Sequence, residues 1–109
     1  MEKVQQSKEL VLENMANEII KFLKKKKMWE TDTGLIYNGK HVDHNGETPR
    51  EENLKGDMRM WFEGPLYRAI NHGQGDRNYS IYHGLQNIME KHGYYPEFYS
   101  ACDFNIYPI

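Results

Sequence analysis

Asn38-Gly39 stands between two short β-prone runs, Leu35-Ile36-Tyr37 and Lys40-His41-Val42. These two residues supply the pair of positive φ angles that a type I′ turn needs, and the twist of paired strands favours that turn. A two-residue loop sets Tyr37 opposite Lys40, Ile36 opposite His41 and Leu35 opposite Val42. Facing residues in a hairpin share a side of the sheet. Leu35, Tyr37, Lys40 and Val42 therefore lie together, and Ile36, His41 and Asp43 lie on the reverse. Leu35 and Val42 mark the side that needs a core, and the hairpin is expected over 33–43.

The residues before the hairpin read as one long helix, roughly Val4 to Lys27. Val11, Leu12, Met15, Ala16, Ile19, Ile20, Phe22 and Leu23 recur at three- and four-residue spacing and make a single apolar stripe. Lys24 to Lys27 fall where the helix dipole is negative. After the hairpin, His44 to Asp57 is polar and broken by Gly46, Pro49 and Gly56, and it reads as a long mobile loop. Loops beyond ~12–15 residues are usually functional or disordered. Met58, Met60 and Phe62 then alternate with Arg59 and Trp61, which predicts a strand over 58–62.

Gly64-Pro65 opens a short helix with proline at its first position, carrying Leu66, Tyr67, Ala69 and Ile70 and ending at His72 to Asp76. A third helix is expected from Tyr79 or Ser80 to His92, with Ile81, Leu85, Ile88 and Met89 as its stripe and Gly93 as its C′ residue. Tyr94-Tyr95-Pro96 turns the chain into a last strand, 98–107. Its even positions (Phe98, Ser100, Cys102, Phe104, Ile106) are mainly apolar, and Phe98, Cys102, Phe104 and Ile106 are expected in the core. Its odd positions include Tyr99, Asp103 and Tyr107, which the core does not obviously need. The expectation is one α+β domain, 1–109: a mostly antiparallel sheet of about four strands with helices on one face.

The 109 residues suffice for one real core without disulfides or metal. An aromatic content of 13% argues against disorder. The net charge of −2 argues against nucleic-acid binding driven by counterion release and against an acidic nucleic-acid mimic. The lone Cys102 cannot form an intramolecular disulfide. No apolar run reaches membrane-spanning length, and the N-terminus lacks a signal-peptide layout, so a cytoplasmic setting is expected. Lysine outnumbers arginine, and Asn, Ile and Tyr are plentiful, as an AT-rich genome such as that of a phage or mobile element would encode.

Several chemistries are weighed against blander roles. His41, Asp43 and His44, with His72, His83 and His92, would be the ligands of a small metal-dependent enzyme, but no metal-binding spacing is present. Cys102 next to Asp103 suggests a thiol nucleophile, yet its position reads as a small buried hydrophobe. Gly73-Gln74-Gly75 follows a helix, whereas a phosphate cradle follows a strand. Lys24–Lys27, joined by Arg59, Arg68 and Arg77, would suit a single-stranded nucleic-acid binder that stacks bases on tyrosines. No catalytic residue, metal or cofactor is assigned.

The aromatic set is the strongest functional signal. Trp29, Trp61, Tyr67, Tyr79, Tyr82, Tyr94, Tyr95, Tyr99 and Tyr107 exceed the needs of one small core, and tyrosine is favoured at protein interfaces. The preferred reading is a non-enzymatic protein that binds another protein, as a phage or mobile-element accessory inhibiting host machinery would. A homodimer would satisfy the same signal. The contact residues expected are Tyr94, Tyr95, Tyr99, Asp103 and Tyr107, with Arg50 and Glu51 from the polar loop.

Overall fold

A computed structural model describes residues 7–73 and 79–109. The expected helix start at Val4, and Gln74, Gly75, Asp76 and Arg77 from the glycine motif and basic set, lie outside the described residues. The elements are α1 (Lys8–Lys25), β1 (Thr33–Tyr37), β2 (Lys40–Asp43), β3 (Gly46–Pro49), β4 (Met58–Phe62), α2 (Gly64–His72), α3 (Ser80–Lys91), β5 (Tyr94–Ser100) and β6 (Asp103–Pro108). The strands form one antiparallel sheet in the order β3-β2-β1-β4-β6-β5. The fold is α+β as expected, but the sheet has six strands instead of about four.

The β1–β2 hairpin has the expected register, with Leu35 facing Val42, Ile36 facing His41 and Tyr37 facing Lys40. Asn38 and Gly39 take φ of 50° and 72°, the two positive angles of the type I′ turn. β1 also pairs with β4, Leu35 facing Met60, and β4 pairs with β6, Met60 facing Phe104. That places Leu35, Met60 and Phe104 in one line across the sheet.

All three helices cover the face marked by that line. α1 starts at Ser7, whose Oγ accepts from the Leu10 amide at 3.2 Å, the side-chain cap expected at a helix N-terminus. It buries Leu12, Met15, Ala16, Ile19 and Leu23. These join Leu66, Ala69 and Ile70 of α2 and Ile81, Leu85 and Met89 of α3 over Tyr37, Met58, Met60, Phe62, Phe104 and Ile106. Lys40 also lies on this face. Its Nζ is 2.8 Å from Glu13 of α1 and 3.1 Å from Glu47 of β3. The hydrogen bond to Glu13 leads the effects that hold the Lys40 pKa above its ordinary value.

Two expectations fail, for reasons of local chain reversal. The polar stretch 44–57 is not all loop. Gly46 takes φ of 112°, turning the chain so that 46–49 adds β3 against β2. Every residue of β3 is exposed, so no apolar alternation advertises it. The last strand is likewise two strands. The chain turns at Ala101-Cys102, with Ser100 facing Asp103 across the hairpin and a register shift between Phe98 and Ser100. This changes the predicted core. Phe104 and Ile106 are fully buried, but Phe98 is 46% exposed on edge strand β5 and Cys102 is half-buried in the turn. Phe98 still touches the core, its ring 4.7 Å from that of Phe104.

Two buried phenols on the helix face should titrate late. Burial, followed by the nearby Glu13 carboxylate, pushes Tyr37 up to about 12. Burial and donation of its hydroxyl to Asp57 Oδ2 at 2.9 Å do the same for Tyr94. A phenol starts to ionise in the unfolded chain near its ordinary value of 10, while the folded protein keeps both neutral. Stability from these groups is therefore complete below that value and is lost as pH rises towards about 12. Urea unfolding followed through this alkaline window should show a falling free energy, and Tyr37→Phe and Tyr94→Phe should each flatten the fall.

Candidate functional site

The sheet face opposite the helices is where chemistry-bearing side chains gather. Strand alternation sends Ile36, His41, Asp43, Arg59, Trp61, Asp103 and Asn105 to it. One cross-strand row reads Asp43, Gly34, Trp61, Asp103, Ser100 from β2 to β5. The next reads His41, Ile36, Arg59, Asn105, Glu97.

Trp61 lies across Gly34. A Cβ at position 34 would sit 2.6 Å from the indole, so only glycine leaves room for the ring to lie flat. The indole Nε1–H donates to His41 Nε2 at 3.1 Å, and the two rings stack at 5.5 Å between centroids. His41 Nδ1 is 3.9 Å from Asp43 Oδ2. Glycine in β1, tryptophan in β4 and histidine in β2 thus form one unit across three strands.

An ion network occupies the β4–β6 side. Asp103 is 3% exposed, and Arg59 reaches its Oδ2 from both Nε and Nη2 at 3.0 Å. Ser100 Oγ–H donates to the other oxygen, Oδ1. Arg59 Nη1 donates to Glu52 Oε1 at 2.8 Å, and Arg50 Nε lies 3.1 Å from Glu52 Oε2. Glu52 belongs to the chain between β3 and β4, which is tied down at both ends. The Arg50 amide donates to Gly39 O and the Asp57 amide to Ile106 O, each at 2.9 Å.

Beside these groups the face opens into a cavity of about 390 Å³ that is open to solvent. Ile36, Arg59, Trp61 and Asp103 line it from the sheet, Arg50 and Tyr99 border it, and Glu63, Ser100 and Cys102 complete its rim. Tyr99 is 63% exposed, with the Lys55 ammonium 4.7 Å over its ring. Further along the same face Tyr95 and Tyr107 face each other on β5 and β6, their rings 5.7 Å apart. The volume and the mixture of aromatic walls with a few charged groups are those of sites that take a ligand or one large side chain.

The expected contact residues divide. Tyr95, Tyr99 and Tyr107 share this face, Arg50 and Asp103 line its cavity, and Glu51 is exposed next to Arg50. Asp103 proves to be a buried anchor of Arg59 instead of an outward decoration, because the β5–β6 hairpin brings Ser100 and Arg59 around it. Tyr94 does not join the set. It faces the helices, and its ring is buried in the core. The residues missed were His41, Arg59, Trp61 and Gly34 acting together. Alternation already placed Arg59 and Trp61 on one side of β4, but only strand order brings β2 and β6 to them.

The other candidates are scattered. His44 lies in the β2–β3 turn, His72 beside Tyr67, His83 beside Tyr82, and His92 near Glu18. Among the described residues, no three of His, Cys, Asp and Glu come together as a metal ion would require. Cys102 packs beside Ser100, with Sγ 3.3 Å from Oγ and its amide donating to that oxygen at 3.2 Å. Gly73 closes α2 with φ of 63°, the role of a helix C-cap. No helix among the described residues is long and apolar enough to cross a membrane. The chain matches no protein-family model, no curated protein and no solved structure. The reading of the face therefore rests on its own geometry.

Three substitutions test this arrangement. Arg59→Met leaves the Asp103 carboxylate buried with no cation, and should lower stability by about 2–4 kcal/mol. Adding Asp103→Leu should recover part of that loss, giving a clear coupling energy in a double-mutant urea cycle. Gly34→Ala should cost about 1–3 kcal/mol through overpacking against the indole. It should also shift the Trp61 indole resonance while leaving Trp29 unchanged.

Proposed function

We propose that the chain is a non-enzymatic binding protein, with the helix-free sheet face receiving a segment of a partner protein. The observation that carries this reading is the cavity between Trp61 and Tyr99, on a face that also presents Tyr95 and Tyr107. Tyrosine and tryptophan offer large contact area with few rotatable bonds, and such residues dominate binding energy where a partner side chain is enclosed. An apolar or aromatic anchor from the partner would fill the cavity, with an acidic neighbour facing Arg50. That arginine is 48% exposed in its side chain, and its one ion-pair partner among the described residues, Glu52, also serves Arg59.

The charged groups around the cavity favour binding over catalysis. Asp103, the buried carboxylate in the wall, is held by Arg59 and Ser100, so it anchors the wall instead of standing ready for proton transfer. The nucleic-acid reading is weaker on geometry. Lys24 to Lys27 lie at the end of α1 in the helical layer, while Tyr95, Tyr99 and Tyr107 lie across the sheet, so one groove does not serve both. The setting we propose is cytoplasmic, in a phage or mobile-element accessory protein that inhibits a host protein by occupying it. The AT-rich composition supports that setting.

A photo-crosslinking residue at position 97, on the same face, would capture the partner for identification. The purified pair then provides the test. Tyr99→Ala should weaken binding at least tenfold, as interface hot spots do, with the melting temperature unchanged. Tyr94→Phe should leave affinity alone. Unchanged affinity in Tyr99→Ala and in a Tyr95→Ala/Tyr107→Ala pair would remove the face from the interface.

A further inference from the structure

Trp61, one wall of the cavity, hangs on a titratable acceptor. An indole N–H can only donate. Its partner His41 Nε2, at 3.1 Å, must therefore carry a lone pair, which defines the imidazole as neutral with its proton on Nδ1. Nδ1 faces Asp43 Oδ2 at 3.9 Å. The contact with Trp61 requires neutral imidazole.

We propose that protonation of His41 releases Trp61 from its seat over Gly34, so that pH sets the shape of the cavity. The proposal rests on the binding role argued above for its biological meaning, but its physics does not. When a proton adds to Nε2, two N–H groups face each other and the indole loses its acceptor. The imidazolium keeps Asp43 within ion-pair range and still stacks on the indole, but the indole N–H is left facing a donor. With no Cβ at position 34, β1 holds the ring by backbone contact alone once the hydrogen bond is gone. In acid the wall becomes mobile and the cavity loses its fixed outline. At neutral pH the wall is set for an anchor residue. Histidine is the side chain whose charge changes in the physiological range.

His41 is faced from its own strand and from each strand around it. Asp43 is on its own strand, Thr48 is opposite on β3, Ile36 is opposite on β1 with Arg59 beyond it on β4, and Trp61 reaches it from β4. Arg59 is committed to Asp103 and Glu52. Lys40 and Glu47 bracket the hairpin but engage each other and Glu13 on the helix face. Asp43 is thus the charged group in ion-pair range of the imidazole.

The test is an NMR titration of the full chain from about pH 5 to 8, the range in which histidine changes charge, following the His41 ring protons and the Trp61 indole N–H. Both should move with one shared midpoint, while the Trp29 indole stays still. In His41→Gln, whose side-chain oxygen can accept from the indole but does not titrate, the Trp61 transition should disappear. A Trp61 signal that stays flat through the wild-type His41 midpoint overturns the proposal without any variant, as does a transition that survives in His41→Gln. No partner is needed, so this failure is distinct from failure of the binding reading. That reading falls only if the purified partner ignores Tyr99, Tyr95 and Tyr107.

Discussion

The alternation of β4 is the constraint from which both faces are indexed. Met58, Met60 and Phe62 enter the core, and Arg59 and Trp61 point the other way. β4 pairs with β1 on one side and β6 on the other, joining the β1–β2–β3 meander to the β5–β6 hairpin. A slip of one residue would bring Arg59 and Trp61 under the helices and carry Met60 into water. Such a slip would also part Arg59 from Asp103 and Trp61 from Gly34. The hydrophobic register and the polar network on the far face are therefore the same choice of pairing, made twice by unrelated forces.

The two faces are stabilised in different ways. The helix face relies on area. Three apolar stripes close over methionines, leucines and phenylalanines, and burial of each such side chain contributes about 1.5–3 kcal/mol. Among the described residues the reverse face has no helical cover, and its order comes from direct pairing. Ser100 and Arg59 hold Asp103, Glu52 joins Arg59 to Arg50, and His41 holds Trp61. Buried ionic groups give less net stability than a well-packed apolar core, but they are demanding about geometry. They fix where each side chain stands, and that is the property a recognition surface needs.

What could be read from residue order follows the strength of the local signals. Asn38-Gly39 carries the φ preferences of its turn in its own chemistry, so the β1–β2 register was legible to the residue. The apolar stripes of α1 and α3 were equally plain. β3 was not, because Gly46, Glu47, Thr48 and Pro49 are all exposed and nothing apolar alternates among them. The β5–β6 reversal was hidden because Ala101-Cys102 lacks the glycine or asparagine that usually marks a tight turn. A continuous strand through that point gives a tidy alternation, and it is the wrong one for Phe98 and Cys102. The site suffered in the same way. Tyr95, Tyr99 and Tyr107 could be proposed as an aromatic surface, but Asp103 could not be recognised as buried until Arg59 from β4 was known to lie beside it.

Gly34 and Trp61 bear most directly on why this face looks functional. A glycine inside a central strand is destabilising by roughly 0.5–1 kcal/mol relative to alanine. A β-branched residue at 34 facing threonine at 61 would make a better strand pair. The pair present here gives up that local stability and gains a broad, flat indole held in place by a histidine. The core does not use this ring, since Trp61 points away from every helix. What the ring does is wall a cavity whose other aromatic wall, Tyr99, stands open to solvent. Folding alone gives little reason to keep such an arrangement, whereas the binding role we propose for this face would use it.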